Sequence, residues 1–509
     1  MFFLTAGRSR DFVHRVAVPQ VSAELEHSAN MPPTQPEDLA SPIDELRNEN
    51  GLKGTTTEEC LQQLSLMDAM MHKLGVMLLY IFPPPSSAAV YNLDKLQRSF
   101  VTLVEEDYPI LIGELHIDPQ TGVVSVKQTL ESRKQGGCGI RFETNQSNPM
   151  TTESAAKSLS WELMPTTRGP TELICIKATP LSDGGLAIGL DTSHSLLDGE
   201  AVFTFMKVWG QHYNGVSEDE RLKINHDRHL LWGTSSSSQR EHPEFRVVSV
   251  EPVKDAGDND KAETPPMPPL TEQHRFHFSP AMMKKIKEVA SHIDSAAAGT
   301  VTPSYVSTID AITALFTMLI SRARGHNQDV SITTAVNARS RLDPPLPKNY
   351  AGNVIFSALS SHLNSELQPK SDSEGSVSPG TLGNVSRRIR ASILESDSDY
   401  LRDAVNFLAE QSNLSVIQPS TNFFFGPDLM FTSWVHTGMY DAEFEGMWPR
   451  FVSIPPLPFD GFVVISEAPK HVDGVDVLVH LESTAMDKLK KLYAQVPYLH
   501  NSQMLLSTL

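Results

Sequence analysis

Cysteine is scarce in this sequence. Its three copies, Cys60, Cys138 and Cys175, are widely spaced among 509 residues and form no C-x-x-C pair. An odd number of distant cysteines supplies neither a disulfide framework nor a thiolate metal site, and it favours a reducing compartment. We therefore expect no metal and a cytoplasmic location.

Long apolar runs are also lacking, and basic residues are outnumbered by acidic ones. The most apolar stretch, "LGVMLLYIF", has the length of a strand rather than of a bilayer span, and "MFFLTAGRSR" at the start has no secretory apolar region. Lys and Arg number 42 against 61 Asp and Glu, which gives a formal net charge of −19. Nucleic-acid binding needs a basic surface. The sequence therefore predicts no membrane and no nucleic acid as partners.

Length and composition predict a globular protein of two or three domains, since 40% of the residues are hydrophobic and 20% are charged. Residues 1–50 carry scattered prolines and acids and are predicted to form a mobile arm. A Ser-, Pro- and acid-rich segment at 233–273 is predicted to be an interdomain crossover loop. It separates an N-terminal domain, 51–232, from a C-terminal domain, 274–509. Both halves mix predicted strands and helices, which indicates an α/β fold.

The motif "HSLLDG" stands where a predicted strand meets a predicted helix. The strand-like run "LAIGLDTSH" ends at His194, and Asp198 begins the next segment, where a carboxylate can cap a helix. Gly199 has no Cβ, so a ligand or a backbone could pass close to it. The apolar residues of that segment fall on one helical face: Val202, Phe203, Met206 and Trp209. Such a junction suits a reactive histidine, but H-x-x-x-D alone often occurs by chance.

Further motifs occur in a fixed order along the chain. They are "LDKLQRSFVTLVEEDYPILIGEL", "VSTIDAITALFTMLISRAR", "VNARSRLDPPLPKNYAGNVI", "FTSWVHTGMYDAEFEGMWP" and "DGFVVISEAPKHVDGVDVLVHLESTAMDKL". Together with the histidine motif they resemble the BAHD family of coenzyme-A-dependent acyltransferases over roughly residues 55–495. The long middle and late loops resemble fungal members, such as trichothecene 3-O-acetyltransferases, more than the compact plant ones.

The resemblance implies an α/β fold of two chloramphenicol-acetyltransferase-like domains, each a mixed β-sheet flanked by helices, with a channel between them. It implies transfer of an acyl group, with acetyl-CoA the first donor to expect, to a hydroxyl of a small secondary metabolite. Acyl-CoA is then a co-substrate in a ternary complex, and no cofactor is bound permanently. A monomer is expected.

The resemblance also assigns roles to residues. His194 is implied as the general base, because an imidazole can accept the proton of an alcohol near neutral pH. Asp198 is implied to turn away from the cavity and to pair with Arg339 or Arg341. Thr432 and Trp434, at alternate positions of "FTSW", are implied to donate hydrogen bonds near the developing oxyanion.

Coenzyme A carries phosphates, so an acidic protein must bind it through a local basic surface. The candidates are Lys284, Lys285 and Lys287 of the "MKKIK" helix, together with Arg322 and Arg324. A solvated helix face is an alternative explanation of the lysines.

One departure from the family pattern and several other functions stay open. Where the family has D-F-G-W-G, this chain reads "EFEGMW", Glu443 to Trp448, which affects loop packing or coenzyme access before chemistry. A hydrolase would need a G-x-S-x-G elbow, which is missing. A condensation domain typically has a second histidine where Ser193 stands. An N-acyltransferase and a catalytically impaired relative that acts as a binding partner remain alternatives.

Overall fold

The computed structural model describes residues 60–86, 89–129, 139–234, 236–248, 268–292, 305–369 and 377–499. The predicted arm, residues 1–50, and Cys138 lie outside these ranges.

Two large mixed sheets organise the chain. The strands are β1 (Cys60–Gln63), β2 (Gly75–Phe82), β3 (Glu114–Ile117), β4 (Val124–Gln128), β5 (Ile140–Thr144), β6 (Ile174–Pro180), β7 (Leu186–Ser193), β8 (Phe245–Val247), β9 (Thr271–Phe278), β10 (Val330–Asn337), β11 (Ile355–His362), β12 (Ile417–Pro419), β13 (Leu429–Trp434), β14 (Phe451–Ser453), β15 (Phe462–Glu467) and β16 (Val475–Glu482). The first sheet has the order β14-β2-β7-β6-β5, and the second has the order β11-β10-β13-β15-β16-β9. Smaller sheets are formed by β1-β4-β3 and by β12-β8.

Ten helices cover the sheets in the described part of the chain. They are α1 (Leu66–Met70), α2 (Leu93–Glu106), α3 (Thr152–Ser158), α4 (Gly199–Tyr213), α5 (Pro280–Ser291), α6 (Thr308–Arg324), α7 (Asn364–Leu367), α8 (Pro379–Glu395), α9 (Ser398–Ala409) and α10 (Ser483–Ala494). Short polar side chains cap many of their N-termini, as Ser307 does for α6, where its hydroxyl accepts the N–H of Asp310. Asp198 likewise caps α4, as the sequence predicts.

The second sheet has two different faces because side chains alternate along each strand. Leu429 and Phe431 of β13 share a core with helices α5, α6, α8 and α10. Val464 of β15 and Leu478 of β16 belong instead to the core of the first half of the chain. One face of the second sheet is therefore turned toward the first half, and the catalytic candidates of β13 lie on that face.

The C-terminal half supplies one strand to the first sheet. β14 pairs antiparallel with β2, in the register Val452 to Tyr80. Met439, Tyr440 and Phe444, which precede this strand, are buried in the core of the first half. The two halves are therefore joined through a shared sheet edge as well as through the crossover.

The prediction of an α/β fold with two mixed sheets flanked by helices is confirmed. The domain bounds remain a prediction. Within the segment 233–273, β8 pairs with β12 and β9 begins at Thr271, so the segment contributes strands to two sheets, which the sequence does not reveal. Residues 249–267 lie outside the described ranges. Among the described helices, none is both long enough and apolar enough to cross a membrane.

Candidate active site

His194 follows the last residue of β7, with its side chain half-buried. Its main-chain N–H donates to the carbonyl oxygen of Leu74 at 3.0 Å, which fixes the turn against the start of β2. Its ring Nδ1 lies 2.9 Å from Oδ1 of Asn353. Nε2 has no hydrogen-bond partner among the residues that the structure describes. The imidazole is thus held at one nitrogen and free at the other.

Asp198 is a buried N-cap and a buried ion-pair partner at once. Its Oδ1 accepts the N–H of Ala201 at 3.0 Å, which caps α4, and its Oδ2 accepts the N–H of Val354 at 3.1 Å. Arg339 donates to both carboxylate oxygens, at 2.8 and 2.9 Å. With the side chain of Asp198 fully buried and these bonds made, the carboxylate is engaged with α4 and Arg339 rather than with the ring of His194.

Of the two arginines that the sequence offers to Asp198, Arg339 makes the contact. Burial alone would lower the pKa of Arg339, but the Asp198 carboxylate outweighs that effect and raises it. Arg341 donates through Nη1 to the carbonyl oxygen of Ile393 at 3.1 Å, and burial lowers its pKa. A second carboxylate, Glu200, lies 3.8 Å from Nε of Arg339.

Thr432 and Trp434 lie on one face of β13, opposite the face that carries Leu429 and Phe431. Both side chains are half-buried. A Cβ placed on Gly199 would lie 3.0 Å from the indole Nε1 of Trp434, so this glycine allows the indole to approach the start of α4. Within the described ranges, neither the hydroxyl of Thr432 nor the indole N–H has a hydrogen-bond partner. Both are available as donors.

Sequence reasoning missed three residues beside His194. Asn353 contacts the ring of His194 through its side-chain oxygen. Asp68 of α1 accepts hydrogen bonds from Asn353, and Arg228 pairs with Asp68 at 3.2 Å. The Y-x-G-N end of the proline-rich motif was an available signal for Asn353. Nothing in the spacing of Asp68 or Arg228 indicates that they meet.

A cavity of about 440 Å³ opens beyond the end of β13. It is lined by Pro280, Met283, Val435, His436, Glu467, Asp473, Gly474 and Val475. Val435 directly follows Trp434, but Val435 and Met283 pack against the core that includes Leu429 and Phe431, so the cavity lies on the sheet face opposite Thr432 and Trp434. Lys284 and Lys285 are exposed on α5, the helix whose first turn lines the cavity. Lys284 lies 3.9 Å from Glu288, and Lys287 lies over the ring of Tyr305.

The prediction that Arg324 binds coenzyme A is wrong. Its side chain is 3% exposed and forms an ion pair with Asp460, and it also donates to the carbonyl oxygens of Asp428 and Phe423. Arg322, on the same helix, donates through Nε to the carbonyl oxygen of Leu367 at 2.7 Å. Helix α6 packs on the sheet face that carries Leu429 and Phe431. Neither arginine therefore lies on the face of Thr432 and Trp434.

The altered segment at Glu443 to Trp448 packs firmly against α4. Phe444 is buried and lies edge-on to Trp209, with ring centroids 5.1 Å apart. A Cβ on Gly210 would lie 2.5 Å from the carbonyl oxygen of Glu443, so the loop requires glycine at that position of the helix. Glu445 accepts the hydroxyl of Tyr213 at 2.6 Å. The segment is therefore packed against α4 through Phe444, Glu443 and Glu445.

In the described part of the chain, no group of three or more His, Cys, Asp or Glu side chains lies close enough together to hold a metal ion. Among the described residues, His194 presents a free Nε2 at the end of β7, and the indole N–H of Trp434 approaches Gly199 at the start of α4, the helix that follows. Such a set suits proton transfer and stabilisation of an oxyanion.

Comparison with known proteins defines the class. The fold matches that of two-domain acyltransferases: TRI101 of F. graminearum, solved with coenzyme A and T-2 mycotoxin, has a TM-score of 0.68 at 17% identity, and the match covers 86% of this chain and 99% of that one. Vinorine synthase has a TM-score of 0.58 at 18% identity, covering 88% of this chain and 96% of the other. At these identities the likeness concerns the fold.

The sequence comparison then identifies the family. The model of the Transferase family matches residues 54–495. Hydroxycinnamoyltransferase 2 of Oryza sativa subsp. japonica is 27% identical over 323 residues, 63% of this chain and 68% of that protein. Agmatine coumaroyltransferase-1 of Hordeum vulgare is 25% identical over 336 residues, 63% of this chain and 70% of its own length. The chain belongs to the Transferase family, the BAHD acyltransferases, and is a coenzyme-A-dependent acyltransferase.

Proposed function

We propose that this acyltransferase moves an acetyl group from acetyl-CoA to a hydroxyl of a small, mostly apolar secondary metabolite. The observation that carries the proposal is the presentation of His194, whose Nδ1 is held by Asn353 while Nε2 has no partner among the described residues. TRI101 was solved with coenzyme A together with a small toxin, which supports a small acceptor beside the donor.

In the proposed reaction His194 acts as a general base in a ternary complex. Nε2 takes the proton of the acceptor hydroxyl while its oxygen bonds to the thioester carbon, which gives a tetrahedral oxyanion. The hydroxyl of Thr432 and the indole N–H of Trp434 donate to that oxygen. Collapse then breaks the C–S bond, and the imidazolium returns the proton to the leaving thiolate. Atoms and charge balance without an acyl-enzyme.

The phosphates of the donor are proposed to bind at the surface of α5, beside the cavity at the end of β13. Exposed Lys284 and Lys285 directly follow Met283 of the cavity lining and can meet phosphates at its rim. Glu467 and Asp473 at the same cavity argue against phosphates inside it.

A monomer in the cytoplasm is the proposed working form. The free thiols of Cys60 and Cys175 support the cytoplasmic location.

Acylation of an amine is a second candidate, because one relative is an agmatine coumaroyltransferase. The same base can take a proton from an attacking amine, so the presence of His194 does not distinguish O-acylation from N-acylation. A comparison of the hydroxyl and the amine form of one acceptor scaffold distinguishes them. Under our proposal the hydroxyl form should be acylated faster.

The proposal is tested by following thiol release from acetyl-CoA and coumaroyl-CoA with panels of small alcohols and amines. His194→Ala should abolish transfer, and Trp434→Phe should slow it by about a hundredfold to a thousandfold, the typical cost of one oxyanion donor. His116→Ala, at an exposed position of β3, is the matched control and should act like wild type. Normal turnover of His194→Ala would disprove the assignment of the base.

A further inference from the structure

Three buried side chains from distant parts of the chain, Arg228, Asp68 and Asn353, form one line that ends at the half-buried His194. Arg228 donates through Nη1 to both carboxylate oxygens of Asp68, at 3.3 and 3.2 Å. Asp68 is fully buried and Arg228 is 2% exposed. The main-chain N–H and the Nδ2 of Asn353 both donate to Oδ1 of Asp68, at 2.8 and 2.9 Å. Asn353 in turn contacts His194.

The chemistry of this line fixes which way the Asn353 amide faces. A carboxylate paired with an arginine only accepts hydrogen bonds, so the amide group beside Asp68 must be the NH₂. That NH₂ also donates to the carbonyl oxygen of His194 at 2.5 Å. Oδ1 of Asn353 is thereby turned to the ring of His194.

The orientation of the amide determines the tautomer of the imidazole. An amide oxygen cannot donate, so the nitrogen facing it, Nδ1, must carry the hydrogen. Nε2 is then left with its lone pair, which is the form that a general base requires. If the amide turned over, its NH₂ would face Nδ1 and the hydrogen would move to Nε2.

We propose that Asp68 is a positioning residue of the acyltransferase: it sets the amide of Asn353 and, through that amide, the tautomer of His194 that accepts the acceptor's proton. Arg228 provides the counter-charge that a buried carboxylate needs. The inference rests on the proposed role of His194 as base, and it adds a residue 126 positions earlier in the chain that does not touch the substrate.

Asp68→Asn tests this inference. An amide at position 68 can present either its oxygen or its NH₂, so it no longer fixes Asn353. We expect kcat to fall about tenfold to a hundredfold, part of what a general base contributes, while the KM for acyl-CoA stays unchanged. Spectra of ¹⁵N-labelled histidine rings, with the His194 signals identified from their loss in His194→Ala, should show Nδ1–H in wild type and a new Nε2–H population in the variant.

A second variant addresses folding, because Asp68→Asn leaves the charge of Arg228 buried without a partner. Asp68→Asn combined with Arg228→Gln removes both charges and should show the same tautomer and kcat changes. The matched control is Asp460→Asn, which breaks another buried ion pair, with Arg324, whose side chains are 2% and 3% exposed. The control should lose stability while its tautomer and kcat stay those of wild type.

A double-mutant cycle with Asn353→Ala tests whether Asp68 acts through Asn353. Once Asn353 is truncated, Asp68→Asn should reduce kcat by less than about twofold further, since coupled residues are non-additive. A folded Asp68→Asn protein with wild-type kcat and tautomer, or fully additive losses in the cycle, would overturn the inference. If wild type transferred no acyl group at all, the proposed function would fail, while the ring spectra would still decide the role of Asp68.

Discussion

At the scale of single residues, the histidine and the aspartate of "HSLLDG" have separate surroundings. His194 is held by Asn353, whereas Asp198 caps α4 and pairs with Arg339. A carboxylate that makes four hydrogen bonds in a buried site holds two halves of a structure together. Its loss should therefore be visible in stability before it is visible in chemistry.

Asp198→Asn should lower the melting temperature and soluble yield, because it leaves the guanidinium of Arg339 buried without its counter-charge. Breaking one side of a buried pair costs about 3–5 kcal/mol. Arg339→Gln should reproduce the loss, as measured by thermal unfolding and denaturant titration. Arg341→Gln is the matched control and should cost less, since Arg341 donates to a backbone carbonyl and not to Asp198. A stable Asp198→Asn protein as inactive as His194→Ala would instead give Asp198 a part in the chemistry.

At the scale of the elements, the sequence predicts what is contiguous and misses what is distant. The junction of β7 with α4 and the cap of α4 at Asp198 follow from local apolar periodicity and a short polar side chain, and both were predicted. Asn353 meets His194 across 159 positions and Asp68 across 285, and no spacing rule reports such contacts. In the sequence, Arg324 could not be distinguished from an exposed arginine at a helix C-terminus, because its partner Asp460 is 136 positions away in the chain.

Strand β16 carries a histidine, His480, whose ring nitrogens have no hydrogen-bond partner within bonding geometry among the described residues. His480 is fully buried, and its ring lies beside those of Phe459 and Phe462, with centroids 6.0 and 5.7 Å away. Burial lowers the pKa of His480 to about 4. Burial lowers the pKa of His226 and of His362 to about 4 as well. All three are neutral in the folded protein at neutral pH.

Folding stability should therefore fall as the pH drops from about 6.5 to about 4. In that window the unfolded chain takes up protons on these histidines and the folded chain does not, so the unfolded state is favoured by about 3 kcal/mol for each one at the lower end. Denaturant titrations across this range measure the slope. His480→Leu should remove the contribution of one histidine from the slope and should not lower stability at pH 7, because it removes an unpaired polar group. His116→Leu, at an exposed position, should leave the slope unchanged; an equal effect of the two variants would contradict the argument.

At the scale of the whole molecule, the division of the chain into an N-terminal and a C-terminal half does not match the division of the structure into two sheets. β14 and the residues before it come from the C-terminal half but complete the first sheet and its core. A three-residue strand is too short to be recognised from periodicity, so the sequence predicts two separable domains where the structure has a shared sheet edge. The guanidinium of Arg275 in β9 lies 4.0 Å from the ring centroid of Phe451 in β14, which adds a contact between the second sheet and β14.

Because β14 comes from the C-terminal half and pairs with β2, we expect that the first half does not fold alone. A fragment of residues 1–248 would leave β2 as an unpaired edge, although its residues from Leu78 to Phe82 are fully buried in the intact chain, and apolar edge strands aggregate. Expressed alone, this fragment should be insoluble or should lack a cooperative unfolding transition. Co-expressed with residues 249–509, it should be recovered as a soluble complex, which is the control for the cut itself. If the fragment 1–248 were instead soluble, monomeric and cooperatively folded by itself, β14 would be dispensable, and the chain would be two independent domains after all.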